Sequence, residues 1–187
     1  MLKRGFKSWS EKVAIAYRQE LNLIVLDPLC PRQFAEHMEV LVWTPEQVPS
    51  LPSDVLKRLK TDKASWSAVT ICSLGHDLII LNSSHASTRQ ASDLMHELSH
   101  LVIGHTPARV DVTQDNQLVL NTYDRDQEDE ANWLAGTLLL PREAIMYWLC
   151  RRESVMSLAG RYGVSEDMVN WRINTTGVKL QLMRTRR

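Results

Sequence analysis

The sequence predicts an α+β fold, mainly helical, with one small antiparallel sheet and a helix-turn-helix-like appendage at the C-terminus. Three observations carry that expectation. Apolar residues recur at helical spacing over long stretches, most clearly 88–104 and 126–140. Only two neighbouring runs, 65–72 and 77–81, read as paired strands, and the link Ser73-Leu74-Gly75-His76 makes them a hairpin. The tail 154–177 has Ala159 in a first helix, Gly163 at a turn, Ser165 as a cap and Val169 and Ile173 in a second helix.

The elements follow in order. Ser8 with Glu11 has the pattern of a capping box, opening a helix to about Leu21. Pro28 and Pro31 break the chain, and Pro31 suits the first turn of a short helix over 31–38. Residues 40–43 form a short strand that stops before Pro45, and 45–52 is a loop. The hairpin leads into the helix 88–104, which Ser87 or Thr88 caps and Gly104 ends. Residues 117–120 add a short strand. The helix 126–140 ends at Pro141, which opens another over 142–150.

A chain of 187 residues suits one domain plus a small appendage, divided as 1–150 and 151–187. With 22 basic and 22 acidic residues, overall charge selects no polyanionic partner. From Arg151 onward, however, eight basic residues face three acidic ones. The three cysteines (Cys30, Cys72, Cys150) are widely spaced and lack a CxxC pair, which argues for a reducing compartment and against a disulfide framework or a thiolate zinc site. The basic start MLKRGFKSWSEK is followed by no apolar run of signal-peptide length, about 7–15 residues, and no apolar stretch approaches membrane-spanning length. The expectation is a soluble cytoplasmic protein with no membrane contact.

Residues 96–100 read HELSH. His96 and His100, four apart, lie one above the other on a helix and can reach one metal ion. Glu97, beside the first ligand, can address a water on that ion as a catalytic base. A catalytic zinc wants a third protein ligand. The extended pattern HExxHxxGxxH fails here, because Gly104 and His105 fall at the fourth and fifth positions after His100. His105 reads instead as a helix C-terminal residue favourably placed on the dipole. The helix EDEANWLAGTLLLP supplies a carboxylate. Glu128 and Asn132 share a face, so Glu128 can ligate while Asn132 holds the second nitrogen of a ligand imidazole. Glu130 is the rival ligand, about 200° round the helix. Ala131, Ala135 and Gly136 leave room for this helix to approach the HELSH helix.

HELSH followed some thirty residues on by E-x-x-A-N-x-x-A-x-x-L-L-x-P resembles the ImmA/IrrE zinc metallopeptidases. The resemblance covers most of the chain; Ser99, Leu134 and Leu140 replace the family's common Gly, Phe and Met at packing positions. It implies a zincin-like metalloprotease core with His96, His100 and Glu128 as ligands and Glu97 as base. Zinc is the implied ion, with manganese or another divalent ion as the alternative. It also implies a regulatory endopeptidase that cleaves a helix-turn-helix repressor and so induces stress-response or mobile-element genes.

Tyr123, His85 and Arg89 are candidate donors to the oxyanion, and an edge strand of the hairpin offers a rail for a substrate peptide. The alternative functions are a non-catalytic regulator binding DNA or a repressor, and the toxin partner of a two-gene module. Direct DNA binding by 154–177 is the less favoured reading of the tail, because Glu166, Asp167 and Asn170 make a poor phosphate-facing surface.

Overall fold

The computed structural model describes residues 2–73, 76–105, 109–112, 118–121 and 124–185; at 73, 109–112, 118–121 and 185 the description is of the backbone. Helices α1 (Phe6–Glu20) and α2 (Pro31–His37) precede strand β1 (Leu41–Trp43), helix α3 (Ser53–Thr61) and strands β2 (Ala68–Ser73) and β3 (His76–Leu81). Helix α4 (Ser87–Ile103), strands β4 (Arg109–Val112) and β5 (Leu118–Asn121) and helix α5 (Arg125–Leu139) follow. Helices α6 (Arg142–Cys150), α7 (Val155–Tyr162), α8 (Glu166–Thr175) and α9 (Val178–Thr185) complete the chain. The architecture is α+β, as expected.

The main sheet is mixed rather than antiparallel. Its order is β1-β3-β2, with β2 antiparallel to β3 but β1 parallel to it. The run at 40–43 is a strand, yet its partner comes after a crossover through α3 and β2, and a crossover joins strands in parallel. Helix α3 has no fully buried residue, and its mostly polar sequence hides it from a search for apolar periodicity. β4 and β5 form a separate antiparallel pair; of these only β5 was foreshadowed by the apolar run at 117–120.

Alternation along β2 and β3 fixes which face meets α4. Thr70 is opposite Ile79 and Ala68 opposite Leu81, and Ile79 and Leu81 are buried. Val69 and Ile71 point the other way and stay exposed. β2 lies at the edge of this sheet.

Helix α4 buries Leu94, Met95 and Leu98, and α5 buries Leu134, Ala135 and Leu138, into one core shared with Phe34, Ile79 and Leu81. The small Ala131 and Ala135 suit the close approach of these helices. Gly136 serves a different neighbour: a Cβ there would collide with the ring of Trp171 on α8.

The start of α1 departs from expectation. Gly5, at φ 85°, is its N-cap, and Ser8 Oγ donates back to the Gly5 carbonyl at 2.8 Å, so no capping box forms. Glu11 is drawn off by two stronger partners, the Arg172 guanidinium at 2.8 Å and the Arg142 backbone N–H at 2.9 Å.

Two buried arginines close the C-terminal end of α5. Arg18 donates to the Leu138 carbonyl at 2.8 Å, and Arg172 to the Leu140 carbonyl at 3.0 Å. These are carbonyls that a helix end leaves without intrahelical partners, and cations suit that end of the dipole. Burial lowers the Arg18 pKa to about 10 and that of Arg172 as well.

The C-terminal helices join the same core through Leu158, Val164, Val169, Ile173 and Val178. Tyr162 donates its hydroxyl to the Leu26 carbonyl at 2.7 Å. Among the described residues, no helix is long and apolar enough to cross a membrane.

Candidate metal centre

The HELSH segment lies in the last two turns of α4, so His96 and His100 project from one face. Their Nε2 atoms are 3.0 Å apart. Helix α5 packs against α4 and brings Glu128 to the pair, with Oε2 at 3.2 Å from His96 Nε2 and Oε1 at 3.4 Å from His100 Nε2. Among the described residues these three form the group of ligand-type side chains able to hold a metal ion.

The chemistry of the donors fits a cation. Asn132 Oδ1 accepts from His96 Nδ1–H at 3.1 Å, which leaves the lone pair on Nε2. Burial, with His96 and His105 nearby, lowers the His100 pKa to about 4, so its ring is neutral near pH 7. Two imidazole lone pairs and a carboxylate therefore converge on one point. Without a positive charge between them they repel; with one, they are three ligands of the kind zinc takes.

Glu97 lies beside the group but faces the sheet. Thr70, on edge strand β2, donates its hydroxyl to Glu97 Oε2. Burial raises the Glu97 pKa. The Thr70 hydrogen bond and His96 pull it down, and Glu128 and Asp93 push it up. Sequence spacing gave no hint of Thr70, because a strand residue 27 positions upstream carries no local mark of its helix partner.

Glu130, the rival ligand, is turned away. Its Oε2 lies 3.2 Å from His105 Nε2, and His105 Nδ1 lies 2.9 Å from His100 Nδ1. Lys3 Nζ stands 3.2 Å from Glu130 Oε1. Glu130 is thus a neighbour of a neighbour of the three-residue group, as the 200° offset along α5 requires.

The other residues singled out by sequence are placed as follows. His85 is buried, with Nδ1 at 2.9 Å from Asp93 Oδ2 and Nε2 at 3.2 Å from the Lys63 carbonyl, so both nitrogens face acceptors. The exposed Arg89 guanidinium reaches Ser67 Oγ at 3.3 Å and Asp93 at 3.8 Å. Tyr123 lies outside the described residues. In the tail, Arg172 is fully buried and paired with Glu11, and Arg161 stacks over Trp148, 4.0 Å from its ring centroid. Two of the tail's cations are therefore engaged within the protein.

An α+β core bearing two histidines on one helix and a carboxylate on the next, taken with the comparison to known families, defines the class as metallopeptidase. Residues 53–174 match the peptidase M78 family, described as the IrrE N-terminal-like domain, and the chain belongs to that family. The match continues past residue 150, through α7 and most of α8. A comparison with curated proteins gives no match.

Proposed function

We propose that the protein is a zinc-dependent endopeptidase with a zincin-like core, His96, His100 and Glu128 as the ligands and Glu97 as the catalytic base. The observation that carries this reading is the convergence of His96 Nε2, His100 Nε2 and the Glu128 carboxylate, with Glu97 one residue from the first ligand. Zinc suits two imidazoles and a carboxylate, with manganese or another divalent ion as the alternative, and such an ion when bound supplies the Lewis acidity that acidifies a water and polarises a carbonyl.

The chain's own groups do the rest. Asn132 holds the His96 ring through Nδ1 and so keeps Nε2 free. Glu97 takes the proton of the attacking water and returns it to the leaving amine. The Thr70 hydroxyl donates to Glu97 Oε2 and so favours the charged, accepting form against the burial that opposes it. β2 lies beside Glu97 at the edge of its sheet, and an extended substrate could add to it as a further strand. Arg89, an exposed cation on the first turn of α4, and Tyr123 are the proposed oxyanion donors. His85, with both nitrogens engaged, does not enter the proposal.

The substrate we propose is a helix-turn-helix repressor in the cytoplasm, whose cleavage induces stress-response or mobile-element genes. The regulator alternative would use the C-terminal basic residues on DNA, and the burial of Arg172 weakens it. The decisive experiment mixes the protein and zinc with helix-turn-helix repressors of its own host. Wild type should cut one of them, and Glu97→Gln should bind zinc equally but cut at least a hundredfold more slowly, as expected for loss of general base catalysis (about 10²–10⁴-fold). Equal cleavage by the variant would remove Glu97 as the base.

A further inference from the structure

We propose that His105 and Glu130 are positioning residues that hold His100 in the one tautomer able to ligate, through a directed chain from His100 to His105 to Glu130. The inference rests on the three-ligand reading above and adds two residues outside the ligand set.

The directions follow from the chemistry of each atom. Glu130 presents a carboxylate oxygen 3.2 Å from His105 Nε2, and a carboxylate accepts. His105 therefore carries its proton on Nε2 and offers a lone pair at Nδ1. That lone pair lies 2.9 Å from His100 Nδ1, which must then be the donor. His100 is left with a bare Nε2, the nitrogen facing His96 and Glu128. No other assignment of neutral rings satisfies both contacts. On the other ligand, Asn132 Oδ1 does the same work in a single step.

Backbone geometry builds the chain. At the end of α4, Gly104 turns left-handed at φ 76° and ψ 32°. Gly104 N–H then donates to the Leu101 carbonyl at 3.1 Å and His105 N–H to the His100 carbonyl at 3.0 Å. This is a Schellman motif, which folds the residue after the glycine onto the residue five before it. The usual apolar contact of that motif is here an imidazole pair, with ring centroids 5.0 Å apart.

The pair is also sealed from water. The His105 and Glu130 side chains are 7 % and 2 % exposed. A surface ion pair needs no such burial, and a carboxylate buried this deeply requires partners, which His105 and Lys3 provide.

Zinc affinity, measured by competition with a chromophoric chelator, tests the chain in wild type, His105→Leu and His105→Asn. Removing an outer partner of a ligating histidine typically weakens metal binding about 10–100-fold, and that loss is expected for His105→Leu. Asn Oδ1 can stand where Nδ1 stood, so His105→Asn should recover most of the affinity although it breaks the contact to Glu130. A purely structural pair would weaken both variants alike, and that result, or wild-type affinity in His105→Leu, overturns the proposal. Nitrogen NMR of zinc-loaded wild type reads the same point without any variant: His105 should carry its proton on Nε2 and accept at Nδ1 from His100, and a proton on His105 Nδ1 refutes the chain. Wild type that binds no zinc would instead overturn the three-ligand reading, and the relay with it.

Discussion

A single hydroxyl tunes the group proposed as base. Glu97 lies where burial penalises its charged form, and the Thr70 hydroxyl donates to Oε2 and opposes that penalty. Thr70→Val keeps the shape and removes the donor. The carboxylate then loses a hydrogen bond that favours its charge, and its pKa rises further. A base must be ionised to act, so the acid limb of the kcat/KM profile should move to higher pH, while the rate at the alkaline end of that limb changes little. An unmoved acid limb would show that Thr70 does not tune Glu97. The pairing also bears on what a sequence can disclose. His96 and His100 were legible because a four-residue spacing on a helix implies one face. Thr70 was not, because only the sheet's docking on α4 brings it to Glu97.

Helix ends decide more of this site than helix interiors. Gly104 ends α4 in a left-handed turn, and that turn lays His105 on His100. Sequence reading found the stop at Gly104 but assigned His105 to the helix dipole, because the turn's return path is a three-dimensional property. The arginine caps on α5 were hidden for the same reason: Arg18 and Arg172 lie far from Leu138 and Leu140 in sequence and read as ordinary surface cations. Two glycine substitutions separate conformation from packing. A Cβ on Gly104 meets nothing within 4 Å, yet its φ is +76°. Gly104→Ala should therefore destabilise by the left-handed penalty, about 1–2 kcal/mol, and weaken zinc binding as His105 shifts. Gly160 within α7 also has open space around it but needs no positive φ. Gly160→Ala should stabilise by about 0.5–1 kcal/mol, the difference in helix propensity. Thermal unfolding of the two variants reads the contrast, and equal shifts would contradict it.

For the molecule as a whole, the question is whether the residues after 150 are an attachment or part of the structure that holds the candidate metal centre. Composition marks a boundary there, since the tail turns basic and takes on a helix-turn-helix spacing. Packing runs across it. Arg172 reaches back to Glu11 on α1 and the Leu140 carbonyl after α5, and Trp171 lies against Gly136 in the last turn of α5. Leu158, Val164, Val169, Ile173 and Val178 are all buried in the shared core. Each such side chain contributes about 1.5–3 kcal/mol by burial. Five of them together approach the whole stability of a domain, about 5–15 kcal/mol. A chain cut after Cys150 also leaves Glu11 without its cation and the end of α5 without one of its two arginine caps. Since α5 carries Glu128, Glu130 and Asn132, loosening its far end loosens the centre as well. The 1–150 fragment should therefore lack a cooperative thermal transition and bind zinc far more weakly than the full chain. Circular dichroism melting and chelator competition on the fragment measure both. A fragment that melts cooperatively and keeps full zinc affinity would make the tail a separate module, and would reopen its use as a DNA- or repressor-binding surface.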